Sequence, residues 1–169
     1  MSGVECFLDT NILLYAASRN LADLAKKTIA IDLMAEKQFG LSAQVLSEFY
    51  TIATRKADFG MTPDRALEWI ETLEAFPCIP VDKGLVKTAA VAAMRYQISY
   101  WDGAILAAAR AMGAPVLYSE DLNHGQSYDG VEVRNPFRQR SPTAGFHEDS
   151  PAFRGEADPL PHEITGSKG

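Results

Sequence analysis

"CFLDTNILLY", Cys6 to Tyr15, joins two hydrophobic patterns at a single acid. The apolar run that begins at Val4 has the length and composition of a buried strand. From Ile12 the apolar residues return at helical spacing. Asp9 stands at the join, with no basic residue beside it.

The same alternation continues along the chain. "FGLSA" (Phe39–Ala43), "CIPV" (Cys78–Val81), "APVLYS" (Ala114–Ser119) and "VEVR" (Val131–Arg134) read as short strands. Helical patterns lie between them, over Ile12–Ala17, Leu21–Gln38, Ala43–Lys56, Pro63–Phe76, Lys83–Tyr96 and Trp101–Met112. Thr62 before Pro63 marks a helix start, and Gly113 a helix stop. Strands separated by helices need crossover connections. The expected fold is therefore α/β, a three-layer α/β/α sandwich with a mainly parallel sheet of about five strands.

This folded part is expected to span residues 1–137. Residues 138–169 carry four prolines, four glycines, mixed charge and little apolar periodicity. Such a segment cannot offset its ordering entropy by burial and is expected to be a disordered tail.

With 47% hydrophobic and 22% charged residues, the 169-residue chain has ample material for a core. No apolar run is long enough for a membrane span. The amino terminus lacks the basic and small-residue features of a secretory signal. Cys6 and Cys78, both in apolar segments without metal-binding spacing, read as buried free thiols. A cytoplasmic location is expected. The net charge of −6 argues against a protein that coats nucleic acid by general attraction, so any chemistry on nucleic acid needs a local device.

Four acids supply a candidate for that device. In a parallel sheet the carboxyl ends of the strands share one edge, where ligands bind. Asp9 ends the first strand and Asp121 follows "APVLYS", so the two are expected to meet there. Glu48, on the helix "AQVLSEFYTIATRK", borders the buried stripe Val45, Phe49, Ile52 and Ala53 and has no Lys or Arg at helical spacing. Asp102 lies in the first turn of "SYWDGAILAAAR", on the face of Ile105, Leu106 and Ala109. The helix terminus favours its ionised form by about 0.3–1 kcal/mol.

Each acid also has an ordinary structural reading. Asp9 can cap the helix that follows, and Ser99-x-x-Asp102 has capping-box spacing. Glu48 can reach Arg55, and Asp121 with Glu120 can form a solvated turn. Thr10, Asn11 and Ser119 are either neutral donors to the acids or plain turn residues. Taken together, these readings require four coincidences on one side of a sheet. Crowded carboxylates are relieved by a cation, and an all-oxygen set suits Mg²⁺ or Mn²⁺ rather than zinc. Such a site points to phosphoryl-transfer or phosphodiester chemistry.

The series "FLDTNILLY", "LSEFY", "ISYWDGAILAAA" and "VLYSEDLNHG" resembles the PIN-domain family, in particular the VapC toxins of bacterial toxin–antitoxin pairs. The resemblance covers most of residues 4–137. It implies an Mg²⁺-dependent ribonuclease in which Asp9, Asp102 and Asp121 are metal ligands and Glu48 a ligand or water-orienting group. Thr10, Asn11 and Ser119 would form the supporting hydrogen-bond shell. The products would carry a 5′ phosphate and a 3′ hydroxyl. Arg55 and Lys56 would hold the RNA backbone, or else are solvated charges. The resemblance also implies a small antitoxin partner and a homodimer.

Two rivals remain. One is a non-catalytic acidic module that uses a metal for protein contact. The other is an aspartyl-phosphate phosphohydrolase with Asp9 as nucleophile, although that chemistry wants an acid where Asn11 stands and a lysine near the acids.

Overall fold

The computed structural model describes residues 3–57 and 59–138. The chain divides into two units, Met1–Arg138 and Gln139–Gly169. The expected disordered tail lies outside the described residues.

Strand β1 (Cys6–Leu8) is followed by α1 (Thr10–Ala17), a 3₁₀ turn (Leu21–Asp23), α2 (Leu24–Glu36) and β2 (Phe39–Ser42). Helices α3 (Ala43–Arg55) and α4 (Pro63–Leu73) then lead to β3 (Cys78–Ile79). Helices α5 (Lys83–Tyr96) and α6 (Tyr100–Ala111) return the chain to β4 (Val116–Tyr118), and the hairpin β5 (Ser127–Tyr128) and β6 (Val131–Arg134) closes the order.

The sheet order is β3-β2-β1-β4-β6-β5, parallel throughout except for β5. Six strands are present rather than about five. The additional one is β5, which pairs antiparallel with β6 through Asp129 and Gly130. Both turn residues have positive φ (49° and 88°), the conformation a two-residue hairpin requires and Asp-Gly supplies.

Burial explains the apolar runs. β1 is central and buried at every residue, as a parallel strand covered on both faces must be. Phe7, Leu8, Ile12, Leu13, Leu41, Phe49, Leu117 and Val133 are fully buried in one core. Helices α1, α2, α3 and α4 contact one another in series, and α5 packs on α6. That division gives the expected three layers.

Local signals set the helix ends. Asp9 caps α1, so the helix begins at Thr10 instead of Ile12. The expected helix Leu21–Gln38 is divided, because Asn20 caps a 3₁₀ turn before α2 starts. Thr62 caps α4 with Pro63 at its first position, and Ser99 caps α6. Cys6 is a buried free thiol, its pKa pushed up to about 11 chiefly by burial. Cys78 is free but exposed, because β3 is a two-residue strand at the edge of the sheet.

The topology also creates a crevice. From β1 the chain moves outward to β2 and β3, then crosses back to place β4 on the other side of β1. Parallel sheets bind ligands at such a reversal, outside the carboxyl ends of the strands. Asp9 follows the end of β1, and Ser119 follows the end of β4.

Candidate active site

Asp9 is only 5% exposed. Its backbone N–H donates to the carbonyl of Tyr118 (3.0 Å), which brings the end of β1 against the end of β4. Three donors meet its side chain. The N–H of Thr10 donates to Oδ1 (2.6 Å), while the Ser119 hydroxyl (2.6 Å) and the Asn11 amide (3.2 Å) donate to Oδ2. Among the described residues no cationic side chain pairs with Asp9. Burial raises its pKa to about 7, with Asp121 and Glu48 adding to the rise and Ser119 and Thr10 opposing it.

Asn11 links two of the acids. Its Nδ2 lies 3.2 Å from Asp9 Oδ2 and 3.2 Å from Asp121 Oδ2. Its other amide atom, Oδ1, is buried without a hydrogen-bond partner. An orphaned acceptor costs about 1–3 kcal/mol, so a neutral amide oxygen stands beside the acids with a lone pair unused. Ser119 ties the same two acids from below, since its Oγ accepts the Asp121 N–H (3.1 Å) while donating to Asp9.

Glu48 approaches from α3. Thr10 Oγ1 donates to its Oε2 (3.1 Å) and Gln44 Nε2 to its Oε1 (2.8 Å). It therefore turns toward the strand ends and does not reach Arg55. Gln44, one helical turn earlier, escaped the sequence reading, although the i, i+4 spacing carries the signal. Arg55 is exposed in the last turn of α3 and has no salt-bridge partner among the described residues.

Asp102 is placed differently. Helix α6 leads into the amino end of β4, so its first turn lies toward the carboxyl edge of the sheet. There Asp102 is engaged by Ser99, which donates its hydroxyl to Oδ2 (2.7 Å) and accepts the Asp102 N–H (3.1 Å). The phenol of Tyr128 titrates above its ordinary value because of burial and then the charge of Asp102. As the side chains stand, no three His, Cys, Asp or Glu residues among those described are grouped to hold one ion. Thr10, Asn11 and Ser119 thus join Asp9, Glu48 and Asp121 into one network, while Asp102 has its own.

A second network adjoins the first. Lys26 of α2 bonds Glu120 (2.8 Å) and the Tyr15 hydroxyl (2.8 Å), and Tyr15 donates to Glu120 (2.7 Å). The Lys26 ammonium also sits 4.4 Å from the centre of the Tyr15 ring. A lysine is therefore present one residue from Asp121, contrary to the sequence reading, but it is engaged by Glu120. No local pattern could have paired positions 94 residues apart.

Comparison with solved structures places this arrangement in a known fold. VapC20 of Mycobacterium tuberculosis, a sarcin-ricin loop cleaving toxin, aligns with a TM-score of 0.57 and 23% identity, over 69% of this chain and 89% of its own. A toxin–antitoxin complex from Klebsiella pneumoniae aligns at 0.57 and 20%, over 78% and 98%. VapBC2 from Rickettsia felis, bound to a DNA fragment from its promoter, aligns at 0.53 and 15%, over 77% and 97%. No curated protein sequence matches the chain. At these identities the structures establish the shared fold. The PIN domain family model, however, matches the sequence itself over residues 6–127, from the first residue of β1 into β5, and by that match the chain belongs to the PIN domain family.

Proposed function

We propose that the protein is an Mg²⁺-dependent endoribonuclease and the toxin of a toxin–antitoxin pair. The observation that carries this reading is Asp9, a buried carboxylate faced by Asp121 and Glu48 and, among the described residues, by no cationic side chain. Family membership and the toxins among the fold's solved structures support it.

The residues fit a hard divalent cation. The donors at the strand ends are all oxygen, and His124, the one histidine among the described residues, accepts the Asn135 N–H through Nδ1 (3.0 Å). The unused Asn11 Oδ1 adds a neutral oxygen. Asp9, Asp121, Glu48 and Asp102 would hold Mg²⁺, with Mn²⁺ as the alternative. When bound, the ion supplies Lewis-acid polarisation of a phosphodiester and an acidified water.

The protein's own groups do the rest. Ser119 and Thr10 donate to Asp9 and favour its ionised form against the effect of burial. Thr10 and Gln44 each occupy one lone pair on a Glu48 oxygen, leaving the others to orient an attacking water. Cleavage by water leaves a 5′ phosphate and a 3′ hydroxyl and needs no 2′-hydroxyl nucleophile. An antitoxin that covers the acids would silence the enzyme, and a homodimer would set two such sites in one particle.

The test is incubation of the purified protein with single-stranded and structured RNA, with Mg²⁺ or with EDTA, followed by product-end analysis. Mg²⁺-dependent internal cuts with 5′-phosphate ends are expected. RNA left intact in Mg²⁺ and Mn²⁺ alike removes the nuclease reading in favour of a non-catalytic module.

A further inference from the structure

A cleft of about 550 Å³ opens beside α1, bounded by Ala16 and Ala17 on one side and by α4 on the other. Arg19, Lys27 and Arg65 line it, together with Trp69 and Met61, and no acid lines it among the described residues. This charge balance is the reverse of the chain's own, which is −6.

The three cations come from separate elements and have little to hold them elsewhere. Arg19 is exposed and has no salt-bridge partner among the described residues. Lys27, half-buried, donates to the carbonyl of Ser18 (2.8 Å) and pairs with no carboxylate among those residues. Arg65 pairs with Glu68 (2.7 Å), but both partners are largely exposed, and an exposed pair of this kind contributes little.

The cleft lies one short helix length from the acids. Helix α1 runs from the Asp9 cap to Ala17, a length of about 12 Å. Trp69 packs its ring 5.9 Å from Phe49, the neighbour of Glu48. A strand lying across the acids therefore reaches the cations after one short helix length.

We infer that this cleft is a subsite for the phosphodiester backbone of the RNA flanking the cut, with Arg19, Lys27 and Arg65 on the phosphates and Trp69 offering a face to a base. The inference rests on the nuclease reading for the word "cut" but not for RNA binding itself. Cationic grooves with an aromatic wall bind single strands through phosphate contacts and stacking. The cleft also explains how an acidic protein takes up a polyanion, since three cations and no acid among the described residues line it.

The test is equilibrium binding of a labelled single-stranded RNA of mixed sequence to the full chain carrying Asp9→Asn, in EDTA, across a salt series. Adding Arg19→Ala, Lys27→Ala and Arg65→Ala together is expected to weaken binding about tenfold or more and to flatten the slope of log affinity against log salt by about 2, roughly 0.7 per lost phosphate contact. Lys83→Ala, Lys87→Ala and Arg95→Ala together on α5, in the opposite layer, form the charge-matched control and leave the slope unchanged. Thermal melts check that each variant is folded. An unchanged slope in the cleft variant, or an equal loss in the control, overturns the inference and leaves the cleft to a protein segment. Cleavage by the unmodified protein is scored separately, so failure of the nuclease reading and failure of this subsite are distinguishable.

Discussion

Ser119 donates its hydroxyl to Asp9 over 2.6 Å, a bond that spans 110 positions of sequence and joins the ends of the two strands at the sheet's reversal. It opposes the effect of burial on the Asp9 carboxyl. Ser119→Ala removes a donor to the charged form, and a hydrogen bond to a charged group is worth about 1.5–3 kcal/mol. The Asp9 pKa is then expected to rise beyond about 7. The acid limb of the rate–pH profile should move to higher pH, with activity largely recovered in alkaline buffer. A uniform loss at every pH would assign Ser119 a different role.

Asp9→Asn should separate function from stability. The folded-state pKa of about 7 lies above the ordinary 3.8, so ionising Asp9 opposes folding. This penalty is absent at acid pH, grows as pH rises from about 4, and is complete above about 7. Without added metal, Asn should stabilise the fold at pH 8 by about 1–3 kcal/mol and by little at pH 4. RNA cleavage should fall by a factor of about a thousand or more, because the charge that would hold the ion is gone. Melting curves at the two pH values, with chelator present, read the first effect, and a destabilised variant at pH 8 contradicts it.

Metal binding should displace the proton that burial places on Asp9. Below pH 7 the carboxyl is largely protonated, whereas ligation requires the carboxylate. Mg²⁺ affinity should therefore rise with pH up to about 7 and level off above it. Calorimetry at pH 6 in two buffers of different ionisation enthalpy should record close to one proton released per ion, falling toward none at pH 8. The same titration on Asp9→Asn should show no proton release. Equal proton counts at both pH values would place the ion elsewhere.

The fold was readable because one pattern dominates it. The join at Asp9 announces a buried strand and a capped helix together, and that rhythm recurs through β6. The strand β5 was missed because its two residues are too few for periodicity, yet "YDGV" carries the Asp-Gly pair that its turn demands. At the site, strand-end logic located Asp9 and Asp121, since the sheet edge is fixed by topology. The partners of Glu48 and Glu120 were not readable in the same way. Lys26 reaches Glu120 from a different helix, and such a pairing depends on the packing of α1 against α2. Asp102 is the instructive case, because its capping box satisfies the sequence pattern whether or not the residue has a second role.

Gly103 should be intolerant of substitution. Helices α5 and α6 approach so closely there that a Cβ would stand 2.5 Å from the carbonyl oxygen of Ala89 and 3.0 Å from the Ala93 nitrogen, both backbone atoms. A backbone cannot rotate away as a side chain does. Gly103→Ala is expected to cost about 1–3 kcal/mol through overpacking, despite alanine's better helix propensity. Urea unfolding measures this directly. Gly84→Ala serves as the contrast, since its Cβ would meet only the Asp82 side chain at 3.2 Å.

Asp102→Asn decides between a cap and a ligand. Ser99 donates to Asp102 Oδ2 and accepts its N–H, and an asparagine oxygen still accepts the first bond, though without the carboxylate's charge. The loss of charge in the first turn of α6 removes only about 0.3–1 kcal/mol of favourable interaction with the helix terminus. If capping is the whole role of Asp102, the variant melts nearly as the parent does and cleaves RNA at a similar rate. As one of the residues proposed to hold Mg²⁺, it should instead leave the metal-free melting temperature within a few degrees and lower both Mg²⁺ affinity and cleavage by about a hundredfold. Mg²⁺ titration followed by the shift in melting temperature gives a readout independent of turnover. Parent-like affinity in that titration would take Asp102 out of the metal site and leave Asp9, Asp121 and Glu48 to hold the ion.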